Sequence, residues 1–233
     1  MLQMLQNIQN QRVHFINLGY EVGWILKSFE KSRPDRVYLI RQTNEGEKPL
    51  ETQKKIKKFL DKTKAEMKIL YSDKTIYDLI KDLKDIIFEE KANQIFLCIS
   101  SGQRDNVSGL ILSSMLFHKI PKEICLYSAK KGEFVELPHF EVKLPKPEIL
   151  ETIRFLKDKE KGCIKRELRD HMFKNKILEI GKCKDQEHTQ YVKLNRAVLE
   201  PTEKDWKLIE IDGKRKGSRI TLTEEGKKWA KIF

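Results

Sequence analysis

Short apolar segments alternate with longer segments of helical periodicity through the first 130 residues, and no other feature of the sequence restricts the fold so strongly. Most of the short segments are continuously apolar, as in strands that helices cover on both faces of a sheet. The longer segments carry apolar residues three and four positions apart, as amphipathic helices do. The alternation predicts an α/β domain built on a mainly parallel, Rossmann-like sheet.

The predicted strands and helices of this domain follow one another in βαβ order. Strands are expected at residues 13–17, 36–40, 67–71, 94–99 and 123–128, and the helices between them at residues 22–30, 50–62, 75–90 and 106–117. A Lys-Lys-Gly turn at residues 130–132 predicts a hairpin into one further strand, antiparallel and at the edge of the sheet.

A proline-rich segment separates two parts of different composition. Pro138, Pro145 and Pro147 suit a stiff, extended linker, so we place the domains at residues 1–144 and 145–233. The second domain contains 23 Lys and Arg residues against 16 Asp and Glu, a net charge of +7 out of +12 for the whole chain. With 39% hydrophobic residues the chain is expected to be globular, and its charge favours a polyanionic partner.

The second domain has the element order of a winged helix-turn-helix. Helices are expected at residues 148–162, 163–173 and 188–201, strands at residues 208–211 and 219–222, and a last helix capped by Thr223. Pro201 is expected to end or kink the third helix. Between the two strands, residues 212–219 hold four cations, as a basic wing would.

The residues expected to contact double-stranded DNA lie on the third helix and in this wing. A recognition helix turns its polar face to the major groove, and a basic wing follows the phosphate backbone. They are Gln190, Lys193, Asn195 and Arg196 on the helix and Lys214, Arg215, Lys216 and Arg219 in the wing. The alternative is a winged helix that serves dimerisation or protein docking, with a solvated wing.

Polar loops that contain glycine follow the first and fourth predicted strands. In a sheet of two βαβ halves these loops border the crevice where strand order reverses. The sequence is Asn-Leu-Gly-Tyr-Glu at residues 17–21 and Ser-Ser-Gly-Gln-Arg-Asp at residues 100–105. Hydroxyls, an arginine and amides at a helix N-terminus suit an anion such as phosphate, although two ordinary βα turns would look the same.

Several other site classes find no support in the sequence. There is no GxGxxG after the first strand and no GxxxxGK[ST], so neither NAD binding nor hydrolysis of a nucleoside triphosphate is predicted. The four cysteines form no CxxC pair, and no metal ligand or other cofactor is predicted. The chain shows neither an export signal nor a stretch long enough to span a membrane, so we expect a cytoplasmic protein with no membrane partner.

The segment Cys98-Ile99-Ser100-Ser101-Gly102-Gln103-Arg104 resembles the Asn-Val-[Ser/Thr]-Gly-Gly-x-[Lys/Arg] motif of CRISPR-associated Rossmann-fold (CARF) domains. Archaeal transcriptional regulators of that family pair such a domain with a C-terminal winged helix. The resemblance implies a homodimer, a cyclic oligoadenylate ligand and a role in antiviral defence. It places the ligand against Leu18, Gly19, Tyr20, Glu21, Ser100, Ser101, Gly102, Gln103 and Arg104. We therefore predict a ligand-responsive, DNA-binding transcriptional regulator.

Enzymatic readings of the same resemblance remain open as alternatives. CARF proteins also include ring nucleases, which cleave their own ligand, and proteins fused to ribonuclease domains with an Arg and a His separated by four to six residues. Arg166 and His171 match that spacing, but chance alone supplies about as many matches in a chain of this composition. We assign no catalytic residue and expect a binding protein rather than an enzyme.

Overall fold

The structure is a computed structural model that describes residues 10–44, 46–73, 75–120, 122–128, 133–137, 142–182, 184–213 and 216–233. It divides into two compact units, Met1–Val142 and Lys143–Phe233. The boundary that we place from the prolines lies two residues further along the chain.

Six strands form the sheet of the first unit, in the order β3-β2-β1-β4-β5-β6. They are β1 (Arg12–Asn17), β2 (Arg36–Arg41), β3 (Glu66–Tyr71), β4 (Gln94–Cys98), β5 (Lys122–Ser128) and β6 (Glu133–Glu136). β1 pairs in parallel with both β2 and β4, whereas β6 pairs antiparallel with β5 at the edge. The predicted Rossmann-like sheet is confirmed, and its strand order reverses between β1 and β4.

Four helices connect the parallel strands and cover the apolar side chains of the sheet. They are α1 (Val22–Lys31), α2 (Glu47–Thr63), α3 (Ile76–Glu89) and α4 (Arg104–Leu116). Ile16 of β1 lies in register with Leu39 of β2 and Cys98 of β4, and all three pack with Phe29 of α1 and Ile56 of α2 in one buried cluster. This packing fixes the ends of β1 and β4 relative to each other, and with them the loops that follow.

A buried carboxylate braces the opposite end of the sheet. Glu90, only 4% exposed, accepts hydrogen bonds from the Tyr38 hydroxyl (2.7 Å), the Arg36 guanidinium (2.5 Å) and the Asn93 amide (2.6 Å). Burial alone would raise the pKa of this carboxyl, but the three hydrogen bonds outweigh it and hold the pKa below its ordinary value. The ionised form is therefore the one that stabilises the fold.

Glu90→Gln is expected to lower the free energy of unfolding by about 2 kcal/mol at pH 7, because it removes the charge on which Arg36 and Tyr38 depend. Since the folded pKa is depressed, this stabilisation is complete above the unfolded pKa of about 4.3 and disappears as the pH falls through the folded pKa. Urea denaturation between neutral and acidic pH measures both effects. Glu89→Gln, an exposed neighbour, is the matched control, and equal stability of the two variants at pH 7 would contradict the prediction.

In its described residues the second unit combines four α-helices with a small antiparallel sheet of order β7-β9-β8. Its elements are α5 (Pro147–Leu156), β7 (Cys163–Ile164), α6 (Lys165–Lys174), α7 (Gln186–Leu194), β8 (Ile209–Asp212), β9 (Arg219–Leu222) and α8 (Glu224–Ile232). Leu168, Leu194 and Ile220 are fully buried in its core and join α6, α7 and β9. The predicted winged helix-turn-helix is confirmed.

Three helix bounds predicted in this unit differ from the structure. The first helix ends at Leu156 and not at residue 162. The second helix does not begin at residue 163, because Cys163 and Ile164 pair with β9 as a short strand. The third helix does not end at Pro201 but continues through wide π-type turns at Asn195–Leu199 and Pro201–Asp205. The amide of Trp206 donates to the Pro201 carbonyl, five residues back, at 3.0 Å. A wider turn draws the preceding carbonyls away from the proline ring, which removes the clash that breaks an ordinary α-helix.

Candidate functional site

The loops that leave β1 and β4 meet at the point where the strand order reverses, and a buried asparagine joins them. Asn17, the last residue of β1, is fully buried. Its side-chain amide donates to the carbonyls of Ser101 and Gln103, both at 2.9 Å, and its oxygen accepts from Asn106 of α4 at 3.0 Å. The Ser101 hydroxyl in turn donates to the Asn17 carbonyl at 2.8 Å. Three hydrogen bonds thus tie the β4–α4 loop to β1, and a fourth ties the first turn of α4 to the same asparagine.

Two glycines allow the loops to approach each other so closely. A Cβ on Gly19 would lie 2.5 Å from the amide nitrogen of Gly102, which is shorter than real contacts. Gly102 itself has a φ of +88°, and a Cβ there would lie 2.3 Å from the side chain of Asn17. Only glycine fits both positions, because one needs a left-handed backbone and the other lacks room for any side chain.

Gly102→Ala is expected to lower the free energy of unfolding by about 1–3 kcal/mol, because the new methyl group collides with Asn17 at an unfavourable φ. Gly23→Ala is the matched control. Gly23 is exposed in α1 and nothing lies within 4 Å of a Cβ there, so alanine should stabilise that helix by about 0.5–1 kcal/mol. Urea denaturation compares the two variants. A Gly102→Ala variant as stable as the natural chain would contradict the steric argument.

A cleft of about 440 Å³ opens beside these loops, within the roughly 300–1,000 Å³ range of small-molecule sites. Its lining includes Tyr20, whose side chain is 72% exposed, and Arg104, which is exposed in the first turn of α4. The side chain of Gln103, the N-cap residue of α4, makes no capping hydrogen bond, and the first amides of a helix have no partner within the helix, so they can donate to an acceptor from outside. An aromatic ring, a cation and helix N-terminal amides together suit a nucleotide phosphate and base.

The structure brings most of the predicted ligand residues together and separates the rest from the cleft. Lining residues from the prediction are Leu18, Gly19, Tyr20, Gly102, Gln103 and Arg104. Leu18 borders the cleft but packs mainly into the core, with 2% of its surface exposed. Ser101 uses its hydroxyl to brace Asn17, and neither Ser100 nor Glu21 is among the lining residues.

The sequence prediction missed residues of two kinds at this site. Gln42, Asn44 and Gly46 line the cleft from the loop between β2 and α2, and Pro49 lines it from the first turn of α2. Their signal is a polar stretch after the second strand, since the β2 loop neighbours the β1 loop in any sheet of this order. Asn17 and Asn106 were missed as well, because nothing in the sequence shows that two amides 89 positions apart hydrogen-bond to each other.

On the winged helix, the predicted contact face of α7 and its continuation is accessible. Tyr191, Leu194 and Val198 are buried, whereas Lys193 and Arg196 are exposed and Gln190 and Asn195 are half-buried. The ammonium of Lys193 donates to the backbone carbonyl of Glu179. This helix therefore turns a polar and basic face outward, as the sequence spacing indicates.

The wing residues have partners of their own where the structure describes them. Arg219 donates to the carbonyl of Lys161 at 2.7 Å, and Lys216 pairs with Glu187 at 2.9 Å. Lys214 and Arg215 lie outside the described residues. Arg219 thus braces β9 as well as carrying one of the wing's charges.

His171, the histidine that matches the ribonuclease spacing from Arg166, packs between two helices. His171 hydrogen-bonds through Nε2 to Glu151 at 2.9 Å and stacks on Phe155 with 4.2 Å between ring centroids. Arg166 is exposed on the same helix. The histidine therefore ties α6 to α5.

In the part of the chain that the structure describes, no group of three or more His, Cys, Asp or Glu side chains is placed to hold a metal ion. No helix in the same part of the chain is both long enough and apolar enough to cross a membrane.

Comparison with solved structures finds 42 matching chains, and three of them, of low identity, illustrate the likeness. VC1899 from Vibrio cholerae is 12% identical with a TM-score of 0.42, over 94% of this chain and 63% of that one. Csm6 from Enterococcus italicus, bound to cyclic hexa-2'-fluoro-hexa-dAMP, is 16% identical with a TM-score of 0.42, over 71% and 49%. Can2 from Sulfobacillus thermosulfidooxidans, in complex with cyclic tetra-adenylate, is 12% identical with a TM-score of 0.37, over 94% and 63%. The chain thus spans 49–63% of their lengths.

Family models match both units of the chain, whereas no curated protein matches it. The HFX_2341-like N-terminal model (HFX_2341_N) matches residues 12–131, and the model of the DUF6293 C-terminal winged helix domain matches residues 148–233. Together with the fold they confirm the predicted combination of a Rossmann-like domain and a C-terminal winged helix. Since the first model covers more than half of the residues, the chain belongs to the HFX_2341-like family and carries that family model's domain ahead of a DUF6293 winged helix.

Proposed function

We propose that the protein is a transcriptional regulator in which a nucleotide bound at the β1/β4 cleft changes the affinity of the winged helix for double-stranded DNA. The observation that carries the proposal is the joining of the two loops by Asn17, which shapes a cleft lined by Tyr20 and Arg104 at the reversal of strand order. Ligands of open α/β sheets bind at that point.

The ligand class that we propose is a cyclic oligoadenylate or a similar cyclic nucleotide. Support comes from the resemblance of the β4–α4 segment to the CARF motif and from the chemistry of the lining, which offers an aromatic ring and an arginine. A two-fold symmetric ligand suits a homodimer, because each protomer presents the same loops to half of it. We propose such a homodimer, in the cytoplasm of a CRISPR-bearing archaeon, as the functional form.

The DNA half of the proposal rests on charge and shape. The second domain holds +7 of the net charge, and the exposed face of α7 and its continuation carries Lys193 and Arg196 beside a basic wing. Duplex DNA is the polyanion that such a helix and wing fit together. Ligand and DNA are then linked reciprocally, so whichever way the ligand shifts DNA affinity, DNA shifts ligand affinity by the same factor.

Two binding measurements test the proposal. Calorimetry with cyclic tetra-adenylate and cyclic hexa-adenylate should show heat with at least one of them, and electrophoretic shifts should show binding to the DNA upstream of the protein's own gene. Absence of heat with both nucleotides would remove the ligand class. The proposal assigns binding without turnover to the cleft, so chromatography that finds linear product after incubation would replace it with a ring nuclease.

A further inference from the structure

A carboxylate on α7 pairs with one cation of the wing and one cation of α6. Glu187 is exposed in the first turn of α7, which Asp185 caps by accepting from the His188 amide at 2.9 Å. Glu187 pairs with Lys216 of the wing at 2.9 Å and with Arg169 of α6 at 3.0 Å. Three separate parts of the winged helix therefore meet at one negative charge.

An aromatic ring holds the same two cations in place. The guanidinium carbon of Arg169 lies 4.7 Å from the ring centroid of Tyr191, and the ammonium of Lys216 lies 5.2 Å from it. Tyr191 is one turn beyond Glu187 on α7, so the ring and the carboxylate act on the cations together. The hydrogen bond from Lys216, followed by that from Arg169, holds the pKa of Glu187 below its ordinary value, so the carboxylate is ionised at neutral pH.

The position of this carboxylate matters because the N-terminal residues of a recognition helix are those that reach base edges. A carboxylate there is repelled by the phosphate backbone, and its pair with Lys216 competes with phosphates for that cation. Arg169 is not available to phosphates in the same way, because its side chain is 12% exposed and also pairs with Asp170 at 2.5 Å. In the major groove, a glutamate carboxylate characteristically accepts a hydrogen bond from the amino group of cytosine. The carboxylate therefore weakens binding to most DNA sequences and strengthens binding to those that present a cytosine amino group to it. A repulsive group of this kind produces specificity, because specificity is a difference between two affinities.

We propose that Glu187 determines the DNA specificity of the winged helix, by withholding Lys216 from non-specific phosphate contacts and by accepting from a cytosine amino group at the specific site. The inference rests on the proposed function, since it concerns the same DNA interface. It differs from a purely structural role, in which a glutamate in the first turn merely complements the helix dipole. A structural role would change stability and leave sequence discrimination unaltered.

The test compares Glu187→Gln with the natural chain on two duplexes, the upstream site and a random sequence, by fluorescence anisotropy between about 50 and 200 mM salt. Glutamine keeps the size of the side chain and removes its charge. The random duplex should bind more tightly, and the slope of log affinity against log salt concentration should be steeper by about 1, because Lys216 is released to contact a phosphate. The ratio of specific to random affinity should fall by about tenfold, as expected for a lost base contact.

Glu225→Gln is the matched control, because it removes the same charge from another exposed ion pair, with Lys228 of α8 at 3.2 Å. It should leave the affinity ratio and the salt dependence as they are, and thermal unfolding should show both variants to be folded. If Glu187→Gln leaves the ratio unchanged while both proteins bind DNA, the inference is wrong and the proposed function stands. If the natural chain binds neither duplex at low salt, the proposed function fails and the inference with it.

Discussion

Asn17→Ala is expected to abolish nucleotide binding and to lower the free energy of unfolding of the N-terminal unit by roughly 3 kcal/mol. The substitution removes the donors to Ser101 and Gln103 and the acceptor for Asn106, all at a fully buried position. Each buried polar group left without a partner costs about 1–3 kcal/mol. Freed from β1, the β4–α4 loop no longer holds Gly102 and Arg104 at the cleft.

Urea denaturation measures the loss of stability, and calorimetry with cyclic tetra- and hexa-adenylate measures the loss of binding. Asn44→Ala is the matched control for stability, because it makes the same change at an exposed position. A second variant, Asn17→Asp, keeps the volume but turns the donor into an acceptor opposite two carbonyls, and should be as damaging as alanine. Unchanged unfolding in both Asn17 variants would show that the hydrogen bonds of the Asn17 side chain do not stabilise the loop.

The sheet could be predicted from the sequence because its strands carry their own signal. Continuous apolar segments, such as residues 94–99, are what parallel pairing under two layers of helices demands, and the helices between them show their periodicity independently. Once the alternation is read, the right-handed crossover rule leaves few strand orders to consider. The reversal between β1 and β4, and thus the place of the cleft, followed from that order.

The internal organisation of the cleft could not be predicted in the same way. Ser101 was expected to bind the ligand, and its hydroxyl is instead engaged with the Asn17 carbonyl. Asn17 reads in the sequence as an ordinary polar residue after a strand, and only the approach of Asn106 from α4 explains why an amide is needed there. Hydrogen bonds between residues far apart in sequence leave no periodic trace, so a side chain's partner is decided by the tertiary fold.

The winged helix shows the same limit at its element boundaries. Cys163 and Ile164 have no partner in local sequence, and they become a strand because β9 lies beside them. Pro201 is a strong local signal for a helix end, yet tertiary packing of Val198, Leu199 and Thr202 in the core outweighs it and the helix widens instead. Charge counting likewise located the basic wing but not Glu187, which neutralises part of it.

Simultaneous substitution of Lys214, Arg215 and Lys216 by alanine is expected to weaken duplex binding about a hundredfold, because it removes up to three phosphate contacts. Each lost contact also lowers the slope of log affinity against log salt concentration by about 0.9. The control replaces Lys227, Lys228 and Lys231 of α8 by alanine, which removes the same number of positive charges. This helix packs against α5 and β9. Electrophoretic shifts at two salt concentrations compare the two triple variants. If binding depends on net charge alone, both lose affinity equally, and the wing has no particular role. If the wing follows the DNA backbone, only its own variant loses affinity and its salt dependence becomes shallower, since those three cations are the ones that displace counterions from phosphates.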